Sequence, residues 1–202
     1  MNYLAIDTSG KNLTVIINKN GQIFKFFDKE CGVNHSVELM PVVEKVALEA
    51  QFDFSSADFF CAVVGAGSFT GIRIGVATIK AMCFAYKKPC LPITSFDTIA
   101  YNKKDGKVLA VIDAKHDGFY VCGYENGKVV YPPSYIMRDT LNQIKDEYTL
   151  LSFENINGLE VEVVSTVDGY INAIESKQGD ITCDLDKLEP LYVRKSQAEE
   201  GR

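Results

Sequence analysis

A chain of 202 residues, 47% of them hydrophobic, can bury one substantial core or two small ones and reads as globular. A net charge of -6 and a pI near 5.0 argue against a surface that grips a phosphate backbone over a wide area, while leaving room for a local basic stripe. The apolar runs are too short for a membrane span, no charged-then-apolar leader is present, and the six cysteines form no CxxC pair. A cytoplasmic protein with reduced core thiols is therefore expected, not a disulfide frame or a zinc site.

In chain order, Tyr3 to Asp7 is a short apolar strand ending in a polar turn, and Leu13 to Ile17 is a second strand rich in branched residues. Asn20-Gly21 suits a two-residue hairpin turn, whose central positions need positive φ, and Gln22 to Phe27 alternates as a third strand. From Ser36 to Gln51 the spacing of Val37, Met40, Val43, Val46, Ala47 and Ala50 is helical, with Pro41 marking a late start or a kink. Phe59 to Val64 is an unbroken apolar run, as in a strand buried on both faces. A glycine-rich turn and a second helix to about Tyr86 follow. Further on, Arg138 to Tyr148 suggests a helix, Val161 to Ser165 a strand and Gly169 to Ser176 a short helix, with a loose polar tail from Lys195.

The opening pattern recurs. "LAIDTSGKNLTVIINKNGQI" from Leu4 and "AVIDAKHDGFYVCGYENGKV" from Ala110 both read strand, aspartate turn, strand, Asn-Gly turn, strand, and Asp7 precedes Asn20 by the interval that separates Asp113 from Asn126. Two related halves suggest the α/β fold of actin and the sugar kinases, duplicated, with two βββαβα-type halves and the second reduced. The expected division is residues 1–105, carrying the partner-binding helices, and residues 106–202.

The turn "GAGSFTGIRIG" from Gly65 imitates nucleotide motifs without their chemistry. A phosphate-binding loop needs Gly-Lys-Ser/Thr at its end, but Gly71 is followed by Ile72. A dinucleotide fingerprint needs a third glycine where Thr70 stands. Ser68 and Thr70 can cap the helix, so the turn reads as a tight strand-to-helix connection. Weak phosphate binding at the helix N-terminus is the remaining functional reading.

The helix after the turn is apolar on two sides: Ile72, Val76, Ile79, Cys83 and Tyr86 on one, Ile74, Ala77, Ala81, Phe84 and Ala85 on the other. One side can pack on a sheet, and a small domain has little to cover the other. Gly71, Gly75, Ala77 and Ala81 are small enough to admit another helix. A helical partner interface is expected, built from Leu39, Val42, Val43 and Val46 of the first helix with Ile72, Gly75, Val76, Ile79, Met82 and Cys83 of the second.

"LAIDTS", "HSVELMP" from His35, "GAGSFTGIRIG" from Gly65, "PITSFDTIAYN" from Pro92, "VIDAKHDGFYVCGY" from Val111 and "PLYVRKSQAE" from Pro190 occur in this order over nearly the whole chain. Together they resemble the TsaB family, also called YeaZ. The resemblance implies a non-catalytic partner of TsaD, which transfers threonylcarbamoyl to the adenosine 3′ of the anticodon in tRNAs reading codons that begin with A, with the ATPase TsaE as third member. It also implies that the two helices contact TsaD and form a homodimer when TsaD is absent, and that tRNA is met through the complex. No cofactor is expected on this chain alone; ATP with magnesium serves the wider complex.

The residues bear on the alternatives, a nucleotide-binding enzyme of the sugar-kinase type and a metallopeptidase-like relative. Metal binding through two histidines four apart on a helix would need a histidine at Leu39, and the only histidine besides His35 is His116. His35 is read as a helix-start or packing residue, and no metal ligands are assigned. Asp7, Ser9 and Asp113 are the candidates for weak nucleotide or phosphate binding, with turn formation as the structural alternative for the two aspartates. Two departures from the family pattern are Ala66, where proline is usual, and Lys115-His116 after Ala114, where arginine is usual. Tyr192 and Arg194 are read as tying the tail to the domain, or as contacts to TsaE or RNA.

Overall fold

Two five-stranded mixed sheets share one strand order, and each is the centre of its own unit. The computed structural model describes residues 1–103 and 105–194. Unit 1 comprises Met1–Ile93 and Lys177–Leu191, and unit 2 comprises Thr94–Ser176 with the segment from Tyr192.

In unit 1, β1 (Tyr3–Asp7), β2 (Leu13–Lys19) and β3 (Gln22–Asp28) form an antiparallel meander. Lys19 pairs with Gln22 across Asn20-Gly21, whose φ values of 54° and 89° are those a two-residue turn needs. Then come α1 (His35–Ala50), β4 (Phe59–Val63), α2 (Phe69–Tyr86) and β5 (Cys90–Ile93). Strand β4 runs parallel to β1 and β5 parallel to β4, giving the order β3-β2-β1-β4-β5. Crossovers between parallel strands need a long connection, and α2 supplies the one from β4 to β5.

The core of unit 1 lies under α1 and α2. Leu4 and Ile6 of β1, Phe60 and Ala62 of β4, Leu39, Val43 and Val46 of α1, and Ile72 and Ile79 of α2 form one apolar cluster. Tyr3, Ala5, Phe59 and Cys61 point to the other face of the sheet and are buried too, so β4 is covered on both sides as its unbroken apolar run implies. Helix α1 starts at His35 and runs through Pro41. The expected late start is absent because Pro41 and Val37 both lie on the exposed side, where solvent can satisfy the carbonyl left without a donor.

Unit 2 opens with α3 (Ser95–Ala100), followed by β6 (Lys107–Asp113), β7 (Gly118–Glu125), β8 (Lys128–Met137), α4 (Arg138–Ile144), β9 (Thr149–Ser152), β10 (Glu162–Val163) and α5 (Thr166–Ser176). Strands β6, β7 and β8 are again an antiparallel meander, with β9 parallel to β6 and β10 parallel to β9. Read from β8, the order β8-β7-β6-β9-β10 repeats that of unit 1. The duplication is therefore real at the level of topology. Reduction of the second half is equally visible: α4 has 7 residues where α1 has 16, and β9 joins β10 without a counterpart of the 18-residue α2.

The contacts divide the chain at Ile93–Thr94, not after residue 105 as the sequence reading has it. Thr94 begins a capping box with Asp97, and all six residues of α3 are buried, packed against α5 and β6. At Gly169 of α5, a side chain would collide with the Thr98 carbonyl and the Asn102 amide, so the two helical segments meet almost backbone to backbone. Residues 177–191 return to unit 1, where Thr182 exchanges backbone hydrogen bonds of 2.8 and 2.9 Å with Cys90. The expected strand Val161–Ser165 is only Glu162–Val163, and the Ser165 carbonyl instead accepts from the Gly169 N–H of α5, which begins at Thr166 and not at Gly169. The tail from Lys195 lies outside the described residues.

Candidate functional site

The glycine turn closes on the aspartate turn of β1. The Ser68 N–H donates to the Ser9 carbonyl at 2.6 Å, the Gly71 N–H to the Ser68 hydroxyl at 3.3 Å, and the Ile72 N–H to the Ser68 carbonyl at 2.9 Å. Ser68 is thus the N-cap of α2, while Thr70 is exposed in its first turn. A side chain at Gly71 would collide with the Thr8 carbonyl, and one at Gly75 would stand 2.7 Å from the Thr8 hydroxyl, which itself donates to the Gly71 carbonyl at 2.7 Å. The glycines therefore admit the end of β1, not a second helix. Three amides of the turn, those of Ser68, Gly71 and Ile72, are thus already bonded to Ser9 and Ser68.

Asp7 and Ser9 are committed within the same turn. Asp7 Oδ1 accepts from the Ser9 N–H at 2.8 Å and from the Ser9 hydroxyl at 2.7 Å, an Asx-type turn. Burial pushes the Asp7 carboxyl above its ordinary range, against the opposing pull of the two Ser9 bonds and of His35. Asp113, in unit 2, accepts from the Lys115 N–H at 2.8 Å and pairs with its ammonium at 2.9 Å. Burial pushes the Asp113 carboxyl up, but Lys115 and Arg138 outweigh it and hold it below the ordinary range. Both aspartates shape turns.

His35 opens α1 and is buried, its Nε2 2.9 Å from the Asn12 carbonyl oxygen, and Leu39 one turn later is in the core. Among the described residues no three of His, Cys, Asp and Glu come together as metal ligands. Five cysteines are buried and unpaired by disulfides; Cys183 departs from the expected pattern and is exposed, in the segment that returns to β5. Arg194 ties its segment to unit 2, with the guanidinium 4.6 Å over the Tyr135 ring and Nη1 donating to the Tyr135 hydroxyl at 3.1 Å.

The residues expected at a partner interface lie on the inner sides of their helices. Leu39, Val42, Val43, Val46, Ile72, Val76, Ile79, Met82 and Cys83 are all core members, and Gly75 is buried against Thr8. The outer sides carry a different set: Val37, Met40 and Leu48 on α1, and Ala77, Ala81, Phe84 and Ala85 on α2. Phe84 is 82% exposed, Leu48 78% and Val37 68%, three large apolar side chains on the solvent sides of two helices in contact. Periodicity showed both apolar sides of α2, but not which one meets the sheet. The discriminating signal was Gly71 and Gly75, spaced one turn apart on the side of Ile72 and Ile79, where a strand end approaches closely.

The duplicated meander-plus-crossover topology makes the chain an actin-like α/β protein. The family model described as TsaD, tRNA N6-adenosine threonylcarbamoyltransferase, matches residues 28–156. A protein called tRNA threonylcarbamoyladenosine biosynthesis protein TsaB from Bacillus subtilis is 27% identical over 98% of this chain and 96% of its own length. Its namesake from Escherichia coli is 26% identical over 73% of this chain and 69% of its own. A solved structure of YeaZ from Pseudomonas aeruginosa superposes with a TM-score of 0.73 at 20% identity, covering 95% of this chain and 99% of that one. The chain belongs to the TsaD-type family and, within it, to the TsaB (YeaZ) group.

Proposed function

We propose that this chain is a non-catalytic subunit that acts with a TsaD-type transferase, and with TsaE, in the transfer of threonylcarbamoyl to the adenosine 3′ of the anticodon in tRNAs reading codons that begin with A. The relatives' names support the pathway. The observation that supports the subunit role is the set of exposed apolar side chains on α1 and α2, Val37, Met40, Leu48 and Phe84. In this reading the outer sides of α1 and α2 seat TsaD, and in its absence a second copy of the chain. The inner residues, from Leu39 to Cys83, hold that surface in place.

Scale is consistent with this role. Two helices each roughly 25 Å long, lying side by side at about 10 Å spacing, offer on the order of 500 Å² of footprint. That compares with about 800 Å² of accessible surface per partner in a standard interface. Nucleotide with magnesium, in this account, is handled by the other subunits, and tRNA is met by the assembled complex. The cytoplasm is the expected compartment, and no helix among the described residues is long and apolar enough to cross a membrane. The test is gel filtration of the chain mixed with its TsaD, followed by tRNA modification with and without the chain. A stable complex and strict dependence of the modification on the chain are expected; two separate peaks would overturn the proposal.

A further inference from the structure

A cleft of about 380 Å³ in unit 2 lies between the end of α3, the start of β6 and the β7–β8 hairpin. Its floor is apolar, made by Ala100, Val108 and the buried ring of Tyr124, whose hydroxyl is turned away to donate to Asp97 at 2.9 Å. Tyr101 forms one wall. Its hydroxyl donates to the Gly127 carbonyl at 3.2 Å, and its ring lies so near that a side chain on Gly127 would touch it at 3.7 Å. The opposite turns are tied together, since the Asn126 N–H donates to the Gly106 carbonyl and the Gly106 N–H to Asn126 Oδ1, each at 3.2 Å. The cleft is thus preformed, at the size of a small-ligand site.

Its charge is opposite to that of the chain. Lys103 and Lys128 line it and, among the described residues, no carboxylate does, in a protein with 27 acidic and 21 basic residues. The Lys128 ammonium has no hydrogen bond or ion pair among the described residues. Lys103 has, among the described residues, an exposed pair with Glu162 at 3.4 Å, which is worth little and easily exchanged. An unpaired ammonium over a tyrosine-walled, apolar floor is complementary to an anion carrying a flat ring.

We infer that this cleft binds a small organic anion, carboxylate or phosphate monoester, whose ring packs against Tyr101 above Ala100 and Val108 and whose charge meets Lys128 and Lys103. The inference is independent of the partner surface, because α1 and α2 contribute nothing to the cleft. It is tested by backbone amide NMR of the full chain titrated with phenyl phosphate, benzoate, benzyl alcohol and inorganic phosphate. Saturable shifts at Tyr101, Gly106, Gly127 and Lys128 are expected with phenyl phosphate, benzoate or both, which identifies the anion preferred. Benzyl alcohol, which lacks the charge, and inorganic phosphate, which lacks the ring, should bind at least about tenfold more weakly. Lys128→Glu should weaken the ring-bearing anion about tenfold or more, while lowering the melting temperature by no more than roughly 2–4 °C, since Lys128 is exposed but faces Glu125 across the hairpin. Three results would overturn the inference: no saturable shift on the order of 10 mM, equal binding of the alcohol, or unchanged affinity in Lys128→Glu.

Discussion

Replacing Ile79 by alanine tests which side of α2 faces the core. Ile79 has no exposed surface and sits in the cluster with Leu4, Ile6, Phe60 and Ala62, so the truncation leaves a cavity under the helix. A fully buried isoleucine truncated in this way costs about 2–5 kcal/mol. For a chain of this size each kcal/mol lowers the melting temperature by roughly 2–4 °C, so a fall of about 7–14 °C is expected for a mid-range cost of about 3.5 kcal/mol. Phe84→Ala, one and a half turns further along the same helix, removes a side chain that is 82% exposed and should change stability by about 0.5 kcal/mol or less. Both variants are measured by thermal denaturation followed by circular dichroism, with urea titration as a second reading. Unchanged melting in Ile79→Ala together with a large fall in Phe84→Ala would reverse the assignment of the two sides.

Three further outcomes follow from the buried polar groups and the thiols. Because burial raises the Asp7 carboxyl, the folded chain holds that proton more tightly than the unfolded one; the stabilisation this gives is complete below the ordinary value of 3.8 and is lost as pH rises through the folded value. Asp7→Asn can keep both Ser9 bonds without a charge, so its stability relative to the parent chain, measured by denaturant titration at a series of pH values, should improve as pH is raised from the acid range to neutrality, whereas a pH-independent difference would contradict the burial argument. Tyr124→Phe leaves Asp97 Oδ1 without its 2.9 Å donor in the interior and should cost about 1–3 kcal/mol in urea unfolding, a loss that an unchanged midpoint would refute. Burial pushes the Cys83 thiol up to about 12, so a thiol reagent at pH 8 should modify exposed Cys183 in the native chain and reach Cys83 only on unfolding; mass mapping that finds Cys83 modified first would be inconsistent with the packing.

Much of the architecture was legible in local chemistry. Asn20-Gly21 and Asn126-Gly127 marked the hairpins because few residue pairs accept positive φ at both positions, and the equal intervals from Asp7 and Asp113 exposed the duplication that the two strand orders carry. What escaped were features decided by distant partners. The boundary at Thr94 depends on α3 packing against α5, some seventy residues later in the chain. Strand β8 runs through Pro132-Pro133, which is tolerated because β8 is an edge strand with an irregular pairing to β7. The orientation of α2 was hidden for a related reason: two apolar sides give the same periodicity whichever one is buried. Only the close approach of Thr8 to Gly71 and Gly75 distinguishes them.

The partner surface itself is tested most directly by Phe84→Asp, placed where the side chain meets solvent and not the core. The variant is mixed with the TsaD protein of the same cell and run on gel filtration beside the parent chain, with melting temperatures recorded for both. The account predicts an unchanged melting temperature, loss of the heterodimer peak and loss of tRNA modification. A Phe84→Asp variant that still co-elutes with TsaD at the parent's affinity would contradict it.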